Sequence, residues 1–255
     1  MTSSLFDLSG RVAIVTGGNG GIGKGMAVGM ARAGADIVVA ARNEEKTASA
    51  VEEIESLGVR AHGIKVDVAD KEQVGAMVQE AGRVMGRVDI LVTSAGVTIR
   101  KQPQDYTVEE WQWVLGVDLT GVFICAQAAY PWMRKAGGGK IINIGSMTSF
   151  FGGGWASVYA ASKGGVVQLT KSLAMAWAKD NIQVNAVLPG WILTELTAPI
   201  AVNEPERHAQ ICSRIPAGHW GEPSDLAGVA VFLASHASDY VTGAVIPVDG
   251  GYMVA

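Results

Sequence analysis

Tyr159 and Lys163 stand four residues apart in the stretch SVYAASKGG, among residues that are otherwise small. On a helix, positions i and i+4 share a face, so a phenol and an ammonium would lie side by side. Such a pair can handle a proton. A phenol with a pKa of about 10 is a poor acid or base at neutral pH, and a neighbouring cation favours its ionised form. Ala160, Ala161 and Ser162 would leave room for other molecules beside it. Taken alone, the stretch reads first as an ordinary surface pair on a helix, and only the rest of the chain overturns that reading.

A second stretch with chemical potential is TGGNGGIG, Thr16 to Gly23, between an apolar β-rich run and a helical pattern. Glycines there allow a tight turn and a close approach of backbone to a pyrophosphate, and the helix N-terminus behind supplies oriented N–H groups. A plain glycine-rich connection has the same composition; its place between the first strand and the first helix favours the binding reading. At the end of the second strand a dinucleotide fold contacts the adenosine ribose. An acid there selects NAD, whereas a base pairs with the 2′-phosphate of NADP. The chain reads VVAARNEE, with Ala41 in the acid's place and Arg42 after it, which favours NADP(H) over NAD(H). The alternative is a solvated Arg42 near a helix start, close to Glu44 and Glu45.

The elements that must position these groups follow from the hydropathy pattern. Strands are expected at 11–16, 36–41, 61–66, 88–93, 140–145, 182–187 and 244–249. Between them lie helical patterns over Ile22–Ala33, Thr47–Leu57, Lys71–Met85, Val108–Arg134, Tyr159–Ala178 and Ser224–Ala234. Asn43 followed by two acids suits the start of the second helix. Apolar strands separated by helices imply one parallel sheet of about seven strands with helices on both faces, an α/β, doubly wound, Rossmann-type fold. Its ligand crevice is expected at the carboxyl ends of the strands. The segment 193–213 breaks the alternation and reads as a substrate lid. The 255 residues are read as one domain, 1–255.

Composition narrows the class. Hydrophobic residues make up 49% of the chain and charged ones 17%, enough apolar material for a large core. The net charge of −4 and the lack of a basic cluster argue against nucleic acid as a partner. Cys125 and Cys212 are distant and lack metal-ligand spacing, so no metal site is expected; free thiols fit a reducing compartment, and one distant disulfide remains open. With no basic-then-apolar N-terminal segment and no run of membrane-spanning length, the expected location is cytoplasmic, without a membrane partner.

Along essentially its whole length the chain resembles the short-chain dehydrogenase/reductase family. The T-G-x-x-x-G-x-G pattern matches Thr16, Gly17, Gly21 and Gly23, and Y-x-x-x-K matches Tyr159 and Lys163. The family serine, thirteen residues before the tyrosine, matches Ser146; a P-G-x-x-x-T element matches Pro189, Gly190 and Thr194; a DV pair matches Asp67 and Val68. Each match is modest and their joint order is specific. The resemblance implies hydride transfer between a nicotinamide cofactor and a secondary alcohol or ketone. Tyr159 would exchange a proton with the substrate oxygen, where negative charge develops on reduction. Lys163 and the positive nicotinamide ring would lower its pKa, Lys163 would also bind the nicotinamide ribose, and Ser146 would orient the substrate oxygen. Asn19, Ile22, Ser94, Ala95, Gly96 and Ile192 join the implied cofactor contacts, with Asp67 and Val68 at the adenine.

Two departures stand out. The family's N-N-A-G is TSAG here (Thr93–Gly96), and the family asparagine of V-N-L-x-G is Asp118. Asp118 either enters the proton relay to Lys163 or is a helix aspartate with a local partner. Within the family, GKIINIGSMTSFFGG and RIPAGHWGEPSDLAGVAVFLASHASDYVTG look like the gluconate 5-dehydrogenase and 2-deoxy-gluconate 3-dehydrogenase group. That implies a sugar acid or polyol as small-molecule substrate, with an oxoacyl-thioester or other ketone as the alternative. Arg100 or Lys101 would meet a carboxylate, unless both are simply exposed on a loop. Trp155 and Trp191 either line the pocket or pack in the core. A silent NADP(H)-binding sensor is the competing class, and intact Ser146, Tyr159 and Lys163 count against it. By resemblance the protein is a homotetramer, with a dimer as fallback.

Overall fold

The computed structural model describes residues 5–255. Its strands are β1 (Val12–Thr16), β2 (Asp36–Ala41), β3 (Ala61–Lys65), β4 (Ile90–Thr93), β5 (Gly139–Ile144), β6 (Ile182–Pro189) and β7 (Val245–Val248). All pair in parallel, in the order β3-β2-β1-β4-β5-β6-β7. This is the doubly wound α/β sheet expected from the sequence. Its first three strands step outward from β1 in one direction and the last four in the other. The crossovers therefore part between β1 and β4, leaving a crevice at their carboxyl ends.

The helices are α1 (Gly21–Arg32), α2 (Glu44–Glu55), α3 (Lys71–Met85), α4 (Val108–Leu115), α5 (Gly121–Lys135), α6 (Ser157–Trp177), α7 (Ala198–Asn203), α8 (Pro205–Arg214) and α9 (Ala227–Ala234). Every residue of β1, β4 and β6 is buried; β1 and β4 read as apolar runs ending in threonine, β6 buries Gln183 and Asn185 among its apolar residues, and the edge strands β3 and β7 are partly exposed. Apolar side chains of α3, α5 and α6 close one face of the sheet, among them Met77, Met133 and Leu173. Met26, Met30, Ile54 and Leu233 close the other. Fully buried Ile14, Leu91 and Ile141 each contribute about 1.5–3 kcal/mol of transfer free energy to that core.

Element ends follow local chemistry. Helix α2 begins at Glu44, because the Asn43 carboxamide oxygen accepts the Lys46 N–H at 2.9 Å. Helix α3 begins after Asp70, whose carboxylate accepts the N–H groups of Glu72 and Gln73. The helix expected over Val108–Arg134 is interrupted: a π-helical turn, Gly116–Thr120, separates α4 from α5 and contains Asp118. Such single wide turns recur at functional sites. The run Val108–Lys135 is also long and apolar enough, by length and composition, to cross a bilayer, correcting the expectation that no run is. Here it carries Val117, Cys125, Ala129 and Met133 into the core. The segment 193–213 is largely helical, as α7 and α8, and Ile200, Ile211 and Ile215 build a third apolar cluster with Met147, Trp220 and Tyr252.

Candidate active site

A cleft of about 840 Å³ opens at the crevice between β1 and β4. Its floor is the glycine turn. Gly17 holds φ +66°, and a Cβ there would lie 2.9 Å from the Ala95 nitrogen; a Cβ on Gly23 would enter the Gly17 carbonyl. Side chains at either position would push the turn off β4 and α1. Helix α1 starts with Gly20 as its cap, with no side-chain capping bond and no acid in its first turn, so its oriented N–H groups face the cleft unopposed. These features fit a dinucleotide pyrophosphate. Asn19 lines the same cleft and braces it, donating to the Asn43 carbonyl at 3.3 Å and the Thr47 hydroxyl at 3.1 Å.

Every residue assigned to the cofactor from the sequence borders this cleft: Gly17, Asn19, Gly21, Ile22 and Gly23 of the turn, Arg42, Asp67 and Val68, Ser94 to Gly96, Tyr159 and Lys163, and Pro189, Gly190, Ile192 and Thr194. The end of β2 holds Ala41 and Arg42, with no acid at the ribose position. Glu44, the nearby acid, pairs with Lys65 instead at 2.8 Å. The sequence reading missed Lys46, which lines the cleft and is held by both oxygens of Glu195 at 2.8 and 2.6 Å. The pair ties α2 to the segment after β6.

Tyr159 and Lys163 lie on the first turns of α6, with the ammonium 5.6 Å from the phenol ring centre. A buried polar chain positions that helix: Thr93 donates to Asn143 at 2.8 Å, and Asn143 to Thr170 at 2.9 Å, joining β4, β5 and α6. Ser149 couples the loop to the helix, accepting the Ser146 N–H at 3.2 Å and donating to the Lys163 carbonyl at 2.8 Å. Sequence reasoning missed Ser149; its spacing of three from Ser146 is the signature of a short capped turn. Lys163 itself donates to the Ile144 carbonyl at 3.0 Å.

Asp118 is fully buried and reaches the same ammonium. One oxygen accepts the Val97 N–H at 2.8 Å; the other lies 3.6 Å from the Lys163 nitrogen and has no hydrogen-bond partner among the described residues. The local partner of this aspartate is thus Lys163. Burial pushes the Asp118 carboxyl above its ordinary pKa, against the pull of Lys163 and Val97. Burial likewise raises the Tyr159 phenol. Lys163 lowers it, Asp118 opposes its ionisation, and the Ser146 hydroxyl and Arg100 favour it. The expectation of a lowered phenol is therefore corrected for the protein groups alone: desolvation outweighs the ammonium.

Beside the phenol a second cavity, of about 430 Å³, joins the first at Ser146, Tyr159 and Gly190. Arg100, Trp155 and Trp191 all line it. The Arg100 guanidinium lies 5.2 Å from the centre of the Trp155 ring. Lys101 is not part of the wall; it turns to Glu110 at 2.5 Å. Trp191 does both of the things expected of it, lining the cavity while stacking on Trp220 at 5.1 Å. Three polar atoms of the lining are buried without a partner among the described residues: the hydroxyls of Thr98 and Thr148 and the indole nitrogen of Trp191. Arg207 and Arg214 were missed. Their spacing of seven on α8 places both on one helix face, a signal present in the sequence.

A protein-family model described as enoyl-(acyl carrier protein) reductase matches residues 17–253. The 2-dehydro-3-deoxy-D-gluconate 5-dehydrogenase of Escherichia coli (strain K12) is 43% identical over 254 residues, covering 99% of both chains. Among solved structures, a gluconate 5-dehydrogenase from Burkholderia cenocepacia J2315 in complex with NADP and tartrate is 41% identical, with a TM-score of 0.94 and 98% of each chain covered. A short-chain type dehydrogenase/reductase from Mycobacterium marinum is also 41% identical, with a TM-score of 0.92 and 97% of each chain covered. With this fold, this likeness over its whole length, and a serine, tyrosine and lysine gathered where two cavities meet, the chain belongs to the short-chain dehydrogenase/reductase family, whose members are NAD(P)-dependent oxidoreductases interconverting alcohols and ketones.

Proposed function

We propose that this oxidoreductase interconverts a secondary alcohol and a ketone on a sugar acid, with NADP(H) as the favoured cofactor. One observation carries the reading: the cavity beside Tyr159 sets a guanidinium on an indole and leaves buried hydroxyl and indole N–H groups unpaired. A carboxylate answers the guanidinium, and a polyhydroxy chain answers the unpaired groups, which are costly to leave so. The relatives named for gluconate and deoxygluconate chemistry support the same substrate class. NADP in the related structures, together with Arg42 in place of an acid, supports the cofactor preference.

The nicotinamide, when bound in the larger cleft, supplies or accepts the hydride. The glycine turn and α1 would hold its pyrophosphate, Arg42 its 2′-phosphate, and Asp67 and Val68 its adenine side. Ser146 orients the substrate oxygen. Tyr159 gives its phenolic proton to that oxygen in reduction and takes it back in oxidation. Lys163 favours the phenolate, and Asp118 keeps Lys163 paired from behind. Arg100 holds the carboxylate over Trp155. Within one domain spanning 1–255, the segment 193–213 acts as the substrate lid.

We place the enzyme in the cytoplasm as a homotetramer. Its two free cysteines and the exposed apolar side chains Trp111 and Phe123 of the α4–α5 run and Met175 of α6 support this. The test is to follow reduced-nicotinamide absorbance while offering gluconate, 2-keto-3-deoxygluconate, simple polyols and apolar secondary alcohols with NADP⁺. The sugar acids should be turned over with at least tenfold higher kcat/KM than the neutral compounds. Equal or faster turnover of neutral alcohols would overturn the carboxylate reading.

A further inference from the structure

The charge lining the second cavity exceeds what one carboxylate balances. Arg100, Arg207 and Arg214 all border it, and no aspartate or glutamate does. Arg207 has a partner, Glu204, at 2.8 Å. Arg100 and Arg214 have no salt-bridge partner among the described residues; Arg100 feels repulsion from Arg207 and a smaller attraction from Glu204, the acid already paired with Arg207. The three cations occupy two separate aromatic seats. Arg100 and Arg207 both lie on Trp155, at 5.2 and 5.5 Å from the ring centre. Arg214 lies on Tyr252 at 4.2 Å, donates to its phenol oxygen at 3.0 Å, and faces Phe151 at 5.7 Å.

That second seat is built. Its place over the Tyr252 ring and the hydrogen bond to the Tyr252 hydroxyl hold the Arg214 guanidinium, leaving the remaining N–H donors of the fork available for an acceptor. Tyr252 is itself buried, in a cluster with Met147, Ile211 and Ile215, so the seat is anchored to the body of the protein. A substrate closing the cavity with a single carboxylate on Arg100 would strip water from Arg214 and return nothing for it. Removing water from an unpaired cation is costly, and a second anion on the ligand turns that cost into a charge-assisted bond.

We propose that the cavity is a two-anion site: the Trp155 seat takes one carboxylate and Arg214 takes a second anionic group at the far end of the same polyhydroxy chain. The preferred substrates are therefore doubly anionic sugar acids, an aldaric acid or a sugar acid ending in phosphate. The proposal rests on the sugar-acid reading above and narrows it. Both kinds of ligand offer the same chemistry, oxygen anions at two ends of a hydroxylated chain, and the assay separates them.

The experiment compares gluconate, glucarate and 6-phosphogluconate as substrates with NADP⁺. In parallel, binding of each acid is followed by quenching of the indoles, two of which line the cavity. At least one dianion should exceed gluconate by about tenfold or more in kcat/KM, the effect of one added charge-assisted hydrogen bond. Arg214→Met should bring the dianion-to-gluconate ratio close to one, and Arg214→Lys, which keeps a cation, should retain part of it. Glucarate alone preferred identifies a terminal carboxylate, and 6-phosphogluconate alone a terminal phosphate. Gluconate used as well as both dianions, or Arg214→Met lowering all three acids by one common factor, overturns the proposal while leaving the sugar-acid reading intact. If no acid is turned over but the dianions bind tenfold tighter than gluconate through Arg214, the two-anion site stands and the sugar-acid oxidation falls. If nothing is turned over and nothing binds, both fall.

Discussion

Arg42→Ala tests the contact proposed to separate the two nicotinamide cofactors. Arg42 stands exposed at the end of β2 on the rim of the larger cleft, while Glu44 is engaged by Lys65 and Lys46 by Glu195. Arg42 is therefore the uncompensated cation at this rim. A hydrogen bond to a charged group is worth about 1.5–3 kcal/mol net. Exposure and salt screening place Arg42 toward the lower figure. About 1.5 kcal/mol corresponds to roughly tenfold. Initial rates with NADP⁺ and NAD⁺ should then show kcat/KM for NADP⁺ falling about tenfold in Arg42→Ala, with a far smaller change for NAD⁺, which lacks the phosphate. A second variant works in the opposite sense. Glu195→Gln removes the carboxylate that neutralises Lys46, at little cost because the pair is half exposed or more on both sides. It should raise NADP⁺ use several-fold at low ionic strength, and the gain should vanish as salt rises. An unchanged cofactor ratio in Arg42→Ala would refute the reasoning, and so would lower NADP⁺ use in Glu195→Gln.

Four further outcomes follow from the structure. Tyr159→Phe removes the proposed proton donor while keeping the ring, so kcat should fall about 10²–10⁴-fold with the melting temperature nearly unchanged; a loss under tenfold would remove Tyr159 from the proton step. Asp118→Asn should move the rising limb of the alcohol-oxidation pH profile to lower pH, because the Asp118 charge opposes ionisation of Tyr159. The same variant tests stability. The Asp118 carboxyl is raised in the fold, so between its ordinary range and that raised value the native state binds more protons than the unfolded one, and stability falls as pH rises. Melting temperatures measured across that window should fall less steeply for Asp118→Asn than for the parent, and parallel curves would contradict the raised carboxyl. Finally, burial pushes the Cys125 thiol to about 12, so a thiol reagent at pH 8 should modify Cys212 alone in the native protein and both cysteines in denaturant; two fast-reacting native thiols would refute that burial.

What the sequence displayed and what it hid divide along a physical line. The glycine turn, the Tyr159–Lys163 spacing and the Pro189–Gly190 step were legible because each depends on backbone geometry within one turn or one strand end. So was the sheet, since fully buried parallel strands such as β1 and β4 read as short apolar runs. Arg207 and Arg214 carry the spacing of one helix face, but they fall in or beside the segment read only as a lid, and what that face meets lies beyond local spacing. Helix α8 reaches Trp155 and Tyr252 only through the long-range packing of Ile211 and Ile215 against Met147 and Trp220. Lys46 was hidden for the same reason, since its partner lies 149 positions away.

Asp118 falls between the two cases. Around it the buried positions run Val114, Val117, Gly121, Val122 and Cys125, so the apolar stripe of the helix passes directly through a carboxylate. A charge on a buried stripe needs a partner, because its desolvation costs several kcal/mol, and that much can be argued from spacing alone. The π-helical turn cannot, because widening one turn by a single residue leaves the hydropathy pattern almost unchanged. In the fold, that turn holds one Asp118 oxygen on the Val97 N–H and the other beside Lys163. At 3.6 Å and an effective dielectric of about 20, the attraction between the two charges is about 4–5 kcal/mol. Burial nevertheless holds the carboxyl above its ordinary pKa, against the pull of Lys163 and Val97. A pair that is net unfavourable for one of its members contributes little to the stability of the fold. Its consequence is electrostatic: a negative charge held behind Lys163, opposing the ionisation of the phenol that Lys163 promotes.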